Sequence, residues 1–513
     1  MITGKNLIAG SWEQTVQSSI FHTVNPKTNQ ALPTAFQEAT SDQIDTAVAA
    51  AEVSFETYAS TSFEERATFL QTIQEELQSH QQFILETYQE ESALPEGRAQ
   101  GEFQRTLAQI QRFIELLQKG SLAEIKIHTQ GPDFRKMNYP IGPIAVFGAS
   151  NFPLAFSTAG GDTISALAAG CPVVVKAHPF HAGTSELVAD CIAKALVKCN
   201  LPQGIFSHLG GQSHKIGSLL VSHPKIKGVG FTGSFSGGKA LYDLAQKRKE
   251  PIPVFAEMGS INPIFIFENK LKTDFSLAET LAQSVTMGTG QFCTNPGLIV
   301  VCDPSGTHDL AAEISQHTSE LSLPPMAHDS IQKKFDLQIY ELKSEGKLKS
   351  VYSSGNCSAV VGSIDAKEFI KNKKLSEEVF GPFTLVVNCL SVSQMLEVAM
   401  ALEGQLTATL LGEKEDNRDL KMLLSKLQSK VGRILFEGVP TGVAVTEAMQ
   451  HGGPFPASTD SRFTSVGTDA IYRWLRPVAF QDCPNELLPD ALKNENPLGI
   501  LRNVDGNLTT AAL

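Results

Sequence analysis

From residue 143 onward, short apolar runs alternate with helical stretches, and this alternation restricts the fold more than any other feature of the chain. Residues 143–147, 171–176, 205–209, 228–232 and 252–256 read as strands, with helical patterns over 156–169 and 185–198 and after the later strands. Strands that are apolar throughout, rather than on alternate positions, belong to a parallel sheet covered on both faces. A second series follows Asn262: strand 264–267, helix 276–288, strand 298–302 and helix 308–317. Strands near 358–362 and 383–388, helix 394–401 and strands 407–411 and 433–436 complete it. The pattern predicts an α/β fold with two doubly wound parallel-sheet domains, changing near residue 262.

The remaining segments organise around these two series. Residues 5–35 carry turn signals between short β-type runs, and 41–117 follow the 3.6-residue period of helices. Residues 122–141 alternate around Gly131-Pro132, as a β-hairpin does, and would project to pair with another subunit. Residues 480–513 are polar and read as a weakly structured arm. The expected division is 1–121 with 142–261, then 262–475, with 122–141 and 476–513 as a small β oligomerisation hairpin and arm.

At 513 residues the chain exceeds what one core supports. A net charge of −12 argues against nucleic acid or an anionic membrane as partner. Eight cysteines are scattered without a C-x-x-C pair or zinc spacing, which suits a reduced compartment and argues against a structural metal. The amino terminus lacks the basic-then-apolar pattern of a signal peptide. Between Lys136 and Lys176 the one charge is Asp162, yet prolines and glycines break the stretch far short of the about 20 residues a membrane span needs. A cytoplasmic location is expected.

Chemistry concentrates in two places. Gly288-Thr-Gly-Gln-Phe-Cys-Thr-Asn-Pro-Gly297 presents Cys293 on a glycine-rich turn, where a nucleophile is displayed, although a free cysteine is often a small buried hydrophobe. Four strand ends carry polar groups: Asn151, Lys176, Gly233-Ser234 and Glu257. Each has a plain alternative as turn former, snorkelling side chain or solvated carboxylate. Ligands of open α/β sheets bind beyond the carboxyl ends of strands, so convergence on one edge favours a site. Gly233-Ser234 opens a helix, where free N–H groups favour a diphosphate.

Gly-Ala-Ser-Asn151-Phe-Pro, Val-Lys176, Gly-Phe-Thr-Gly233-Ser234, Ala-Glu257-Met-Gly, Gly-Gln-Phe-Cys293 and Glu378-Val-Phe380-Gly-Pro occur in this order. Together they resemble the aldehyde dehydrogenase superfamily over about residues 5–480. Within it, the segments ending at Thr163, Asn262 and Val466 look most like α-ketoglutarate semialdehyde (2,5-dioxopentanoate) dehydrogenases. An NADP-dependent fatty aldehyde dehydrogenase of luminous bacteria is a near relative of that branch. The resemblance implies a Cys293 nucleophile, an Asn151 amide holding the oxyanion, and Glu257 activating water. It implies Lys176 and Glu378 on the two cofactor riboses and Phe380 near the nicotinamide.

Departures from the family pattern shape the specificity expected. Many NAD-specific members carry an acidic residue three positions after the lysine, and this chain has Pro179 there, with His178 and His181 nearby. NADP is therefore expected to be preferred or accepted, with NAD as the other cofactor. Ala159-Gly160, where many members have Trp-Lys, should open the substrate channel beside Phe156. A 2-oxo acid aldehyde needs a cation for its carboxylate; Arg105, Arg112 and Arg462 are candidates, and each also reads as a surface or structural arginine. The alternatives are a medium- or long-chain aldehyde substrate, acyl transfer to coenzyme A, or a silent binding protein. A homodimer is expected, or a homotetramer.

Overall fold

The computed structural model describes residues 2–16, 18–120, 124–344, 348–353 and 359–513. One sheet has the strand order Val254–Glu257, Gly228–Thr232, Ile144–Phe147, Val173–Lys176, Phe206–Leu209, Asn6–Ile8 and Ser11–Glu13. Its first five strands are parallel, and the amino-terminal pair closes one edge antiparallel. Leu167, Val173, Val175 and Ile192 are among the fully buried residues packed between this sheet and its helices. Continuous apolar strands are buried on both sides, as their composition requires.

The second sheet has the order Ser350–Ser353, Val360–Asp365, Phe383–Cys389, Leu298–Cys302, Ile264–Ile266, Gln405–Leu411 and Val431–Leu435, parallel except at its first pair. Two parallel sheets with flanking helices are the predicted α/β class. No described helix is long and apolar enough to cross a membrane.

Two segments differ from the sequence reading. The helix expected over 156–169 begins only at Gly161 and runs Gly161–Ala169. The buried Glu102 carboxylate takes the Leu154 and Ala155 N–H groups at 2.8 and 2.9 Å, holding residues before Gly160 in turns instead. Ala159 then faces the main core rather than a channel.

The carboxyl-terminal arm is also more ordered than its polarity suggests. Lys126–His128 and Phe134–Pro140 form the expected hairpin, with Ser121, Leu122 and Ala123 outside the described residues. Leu475–Gln481, Arg502–Val504 and Asn507–Thr509 extend it to a five-stranded sheet. Arg502 is buried and donates to the carbonyls of Lys493, Asn494 and Ala511, which stitches polar sequence into fixed structure.

Candidate active site

Parallel pairing sets Phe147 beside Lys176 and Phe231, and Thr232 beside Glu257. Four strands of the first sheet thus end at one level, and Asn151, Lys176, Gly233-Ser234 and Glu257 follow from that edge. The second sheet meets it with its amino ends: Cys293 precedes the strand Leu298–Cys302, and Glu378 and Phe380 precede Phe383–Cys389.

The Cys293 loop is held from several sides. Thr289 adopts a left-handed φ of 55° and its hydroxyl donates to Pro324 O. Gly290, at φ 67°, lies so close to the Gly381 carbonyl that any Cβ would overlap it. The fully buried Asn262 donates its amide to the carbonyls of Cys293 at 2.8 Å and Asn295 at 2.9 Å. A thiol so anchored is positioned by backbone rather than by its own rotamer.

Around Cys293 stands a cluster that joins Glu257 and Ser465 to His451, which no motif contained. His451 Nε2 lies 3.4 Å from Cys293 Sγ and 3.1 Å from Glu257 Oε2. Ser465 Oγ donates to the same carboxylate oxygen at 2.9 Å, and Glu257 Oε1 is buried without a partner among the described residues. Burial pushes the Cys293 thiol well above its ordinary value, and the Glu257 charge pushes it further. Burial also works to raise Glu257, but His451 and the Ser465 hydroxyl outweigh it and hold the carboxylate below its usual range. The resting cluster keeps a proton on sulfur, beside the ionised Glu257 carboxylate.

Asn151 donates its amide to Gln291 O at 3.0 Å, which brings it against the nucleophile loop. Phe152, Phe156 and Phe292 form an aromatic wall around the thiol, with Phe152 edge-on to both others. Arg98 lies over the Phe152 and Phe292 rings at 4.4 and 4.2 Å and reaches the Asn151 carbonyl.

Of the three arginine candidates, the structure brings one to the site. Arg105 lies 5.0 Å over the Phe156 ring, which is 6.2 Å from the His451 ring. Its Nε donates to Val443 O, while both Nη atoms are buried with no partner among the described residues. Arg462 is not brought in: it is 79% exposed and paired with Asp460. Arg112 is likewise on the surface, paired with Glu115.

The cofactor candidates line the groove between the sheets. The Lys176 ammonium makes no hydrogen bond among the described residues, and burial lowers it to about 8. The Glu378 carboxylate has one long contact, 3.5 Å from Ser260 N, and burial raises it to about 7. Gly259 leaves room for that carboxylate. Phe380 lies beside Glu378 and Phe292 around a small cavity. Ser234 caps the helix Phe235–Gln246, accepting from Gly237 N at 3.3 Å. An ammonium without a partner among the described residues, a carboxylate with one long contact and a capped helix start are groups that suit a dinucleotide.

His178 and His181 contribute no charge there. Burial and the neighbouring His181 hold His178 well below its usual value. His181 is buried, bonded to Ala149 O and Ser185, and pushed down to about 4. The carboxylate near Lys176 is Glu38, which accepts from Gln212 N and Ser213 N at the start of the helix His214–Ser222.

Residues 12–454 match the aldehyde dehydrogenase family. An α-ketoglutaric semialdehyde dehydrogenase of Acinetobacter baylyi is 41% identical across 99% of both chains. Another such dehydrogenase, from Azospirillum brasilense, is 39% identical over 99% of this chain and 98% of its own. Among solved structures, an NAD+ complex of Staphylococcus aureus betaine aldehyde dehydrogenase superposes with a TM-score of 0.81 at 17% identity, covering 94% of this chain and 96% of that one. A 1-pyrroline-5-carboxylate dehydrogenase gives 0.79 at 20% identity, over 93% and 92%.

Proposed function

The chain belongs to the aldehyde dehydrogenase family, and from that premise we propose that it oxidises α-ketoglutarate semialdehyde to 2-oxoglutarate with NADP or NAD. The observation that carries the substrate is Arg105. Two buried Nη groups, unpaired among the described residues, are costly unless an anion fills them, and a carboxylate offers the matching fork.

In this reading Cys293 gives its proton to the His451–Glu257 pair, and sulfur adds to the aldehyde carbon. The Asn151 amide and the Cys293 N–H receive the oxyanion. Lys176 and Glu378 would hold the riboses of a dinucleotide, Gly233 and Ser234 its diphosphate and Phe380 the side of its nicotinamide, and the group when bound would supply the hydride acceptor. The thioester left on Cys293 is hydrolysed by water that Glu257 deprotonates through its free Oε1. That open carboxylate disfavours acyl transfer to coenzyme A, because it would spend the thioester on water.

The aromatic wall of Phe152, Phe156 and Phe292 supports a second reading, an aliphatic aldehyde with a medium or long chain. Parallel assays with the semialdehyde and decanal separate the two. A kcat/KM higher for the semialdehyde supports the first reading, and one higher for decanal replaces it with the second. The five-stranded sheet is the proposed face for dimer formation, and free cysteines suit a cytoplasmic enzyme.

A further inference from the structure

The geometry points to Cys293, His451 and Glu257 forming an inhibitory site for a thiophilic divalent cation of the Zn(II) class. Cys Sγ, His Nε2 and Glu Oε2 are a thiolate, an imidazole and a carboxylate whose ligand atoms all lie within 4.8 Å of one another. Zinc bonds of about 2.3 Å to sulfur and about 2.0–2.1 Å to nitrogen and oxygen set the edges of a tetrahedron at about 3.5 Å (S to N) and about 3.3 Å (N to O). The separations are 3.4 Å (S to N) and 3.1 Å (N to O), each within a few tenths of an ångström of those edges, and the sulfur and carboxylate ligand atoms lie within 4.8 Å of each other.

Charge favours the same occupant. A thiolate and a carboxylate neutralise a divalent ion, so the loaded cluster would be uncharged in a buried chamber, where an uncompensated charge is costly. Binding forms S–metal, N–metal and O–metal bonds and breaks the Cys293 S–H bond. The proton leaves to solvent, His451 binds as neutral imidazole with its proton on Nδ1, and nothing is oxidised or reduced. The fourth position is left to water. A metal here occupies the nucleophile, its proton acceptor and the hydrolytic base together, so it would block the reaction outright. The ligands lie 36 and 158 residues from Cys293 in the chain, which is why no spacing motif announces them.

The probe is Co(II), titrated into the purified full-length protein and read by absorption, a signal independent of dehydrogenase activity. The expected result is a thiolate-to-cobalt band in the near ultraviolet with tetrahedral bands in the visible, displaced by Zn(II) and removed by EDTA. Cys293→Ser should abolish the near-ultraviolet band, whereas Cys199 and Cys483, the partly exposed thiols, should contribute none. His451→Gln and Glu257→Gln should each weaken cobalt binding by at least about 10- to 100-fold, the range seen when the support of metal ligands is removed. On the unaltered protein, Zn(II) should protect Cys293 from iodoacetamide, reversibly with EDTA. A cobalt spectrum unchanged by Cys293→Ser, or alkylation of Cys293 at the same rate with and without zinc, would overturn the proposal.

Discussion

The imidazole of His451 stands 3.4 Å from the Cys293 thiol, and the same ring nitrogen stands 3.1 Å from Glu257. A single nitrogen thus stands between the thiol and the carboxylate, and in the proposed mechanism the proton leaves sulfur by way of that pair.

His451→Gln should therefore slow acylation by about 10²- to 10⁴-fold, the usual worth of a general base. Burial and Glu257 hold the free thiol high, so without the imidazole the pH at which Cys293 reacts with iodoacetamide should move to the alkaline side. Rapid-mixing kinetics and an alkylation pH profile measure the two effects. An unshifted profile would leave His451 a packing residue.

Arg105→Gln should raise KM for α-ketoglutarate semialdehyde by about tenfold or more, as loss of a charge-assisted pair costs roughly 1.5–3 kcal/mol. KM for an uncharged aldehyde should stay nearly constant. Arg462→Ala, at an exposed position, should change neither value. Steady-state kinetics with both substrates give the comparison.

Dinucleotide affinity should depend on pH with two limbs. Glu378 titrates at about 7 and accepts ribose hydrogen bonds as a carboxylate, so affinity rises as pH increases through that value. Lys176 titrates at about 8 and donates as an ammonium, so affinity falls above it. Calorimetric titrations from pH 6 to 9 should show the optimum between the two values. Glu378→Gln should remove the acid limb and Lys176→Met the alkaline one.

Glu38 should set the balance between the two cofactors. Its carboxylate fills the start of the helix His214–Ser222 and faces Lys176, where a ribose 2′-phosphate would meet it. Glu38→Gln should raise kcat/KM for NADP relative to NAD by roughly fivefold, since one removed repulsion is worth about 1 kcal/mol. An unchanged ratio would place the 2′-phosphate elsewhere.

The sequence made the strand ends legible because apolar runs of equal length, paired in parallel, must finish together. Asn151, Lys176 and Glu257 could be read for that reason, and Cys293 from the glycine-rich turn that carries it. His451 could not: it follows the last strand of the second sheet in an irregular loop, and its one signal was a histidine before Gly452-Gly453. Its role exists only once the carbonyls of Phe463 and Gln405 press on those glycines, leaving no room for a Cβ.

The other differences also come from tertiary partners. The helix before Gly161 is replaced by turns because Glu102, about fifty residues earlier, captures two N–H groups. The polar arm is ordered because buried Arg502 finds three carbonyls. The choice of Arg105 over Arg462 required knowing which guanidinium lacked partners.

The central claim is a covalent route through Cys293, and the direct measurement is intact-protein and peptide mass spectrometry during a single turnover of Glu257→Gln with α-ketoglutarate semialdehyde and dinucleotide. The account predicts a 2-oxoglutaryl adduct on the peptide containing Cys293, formed with one equivalent of reduced cofactor and absent from Cys293→Ser. Reduced cofactor appearing without an adduct at Cys293, or forming equally in Cys293→Ser, would contradict it.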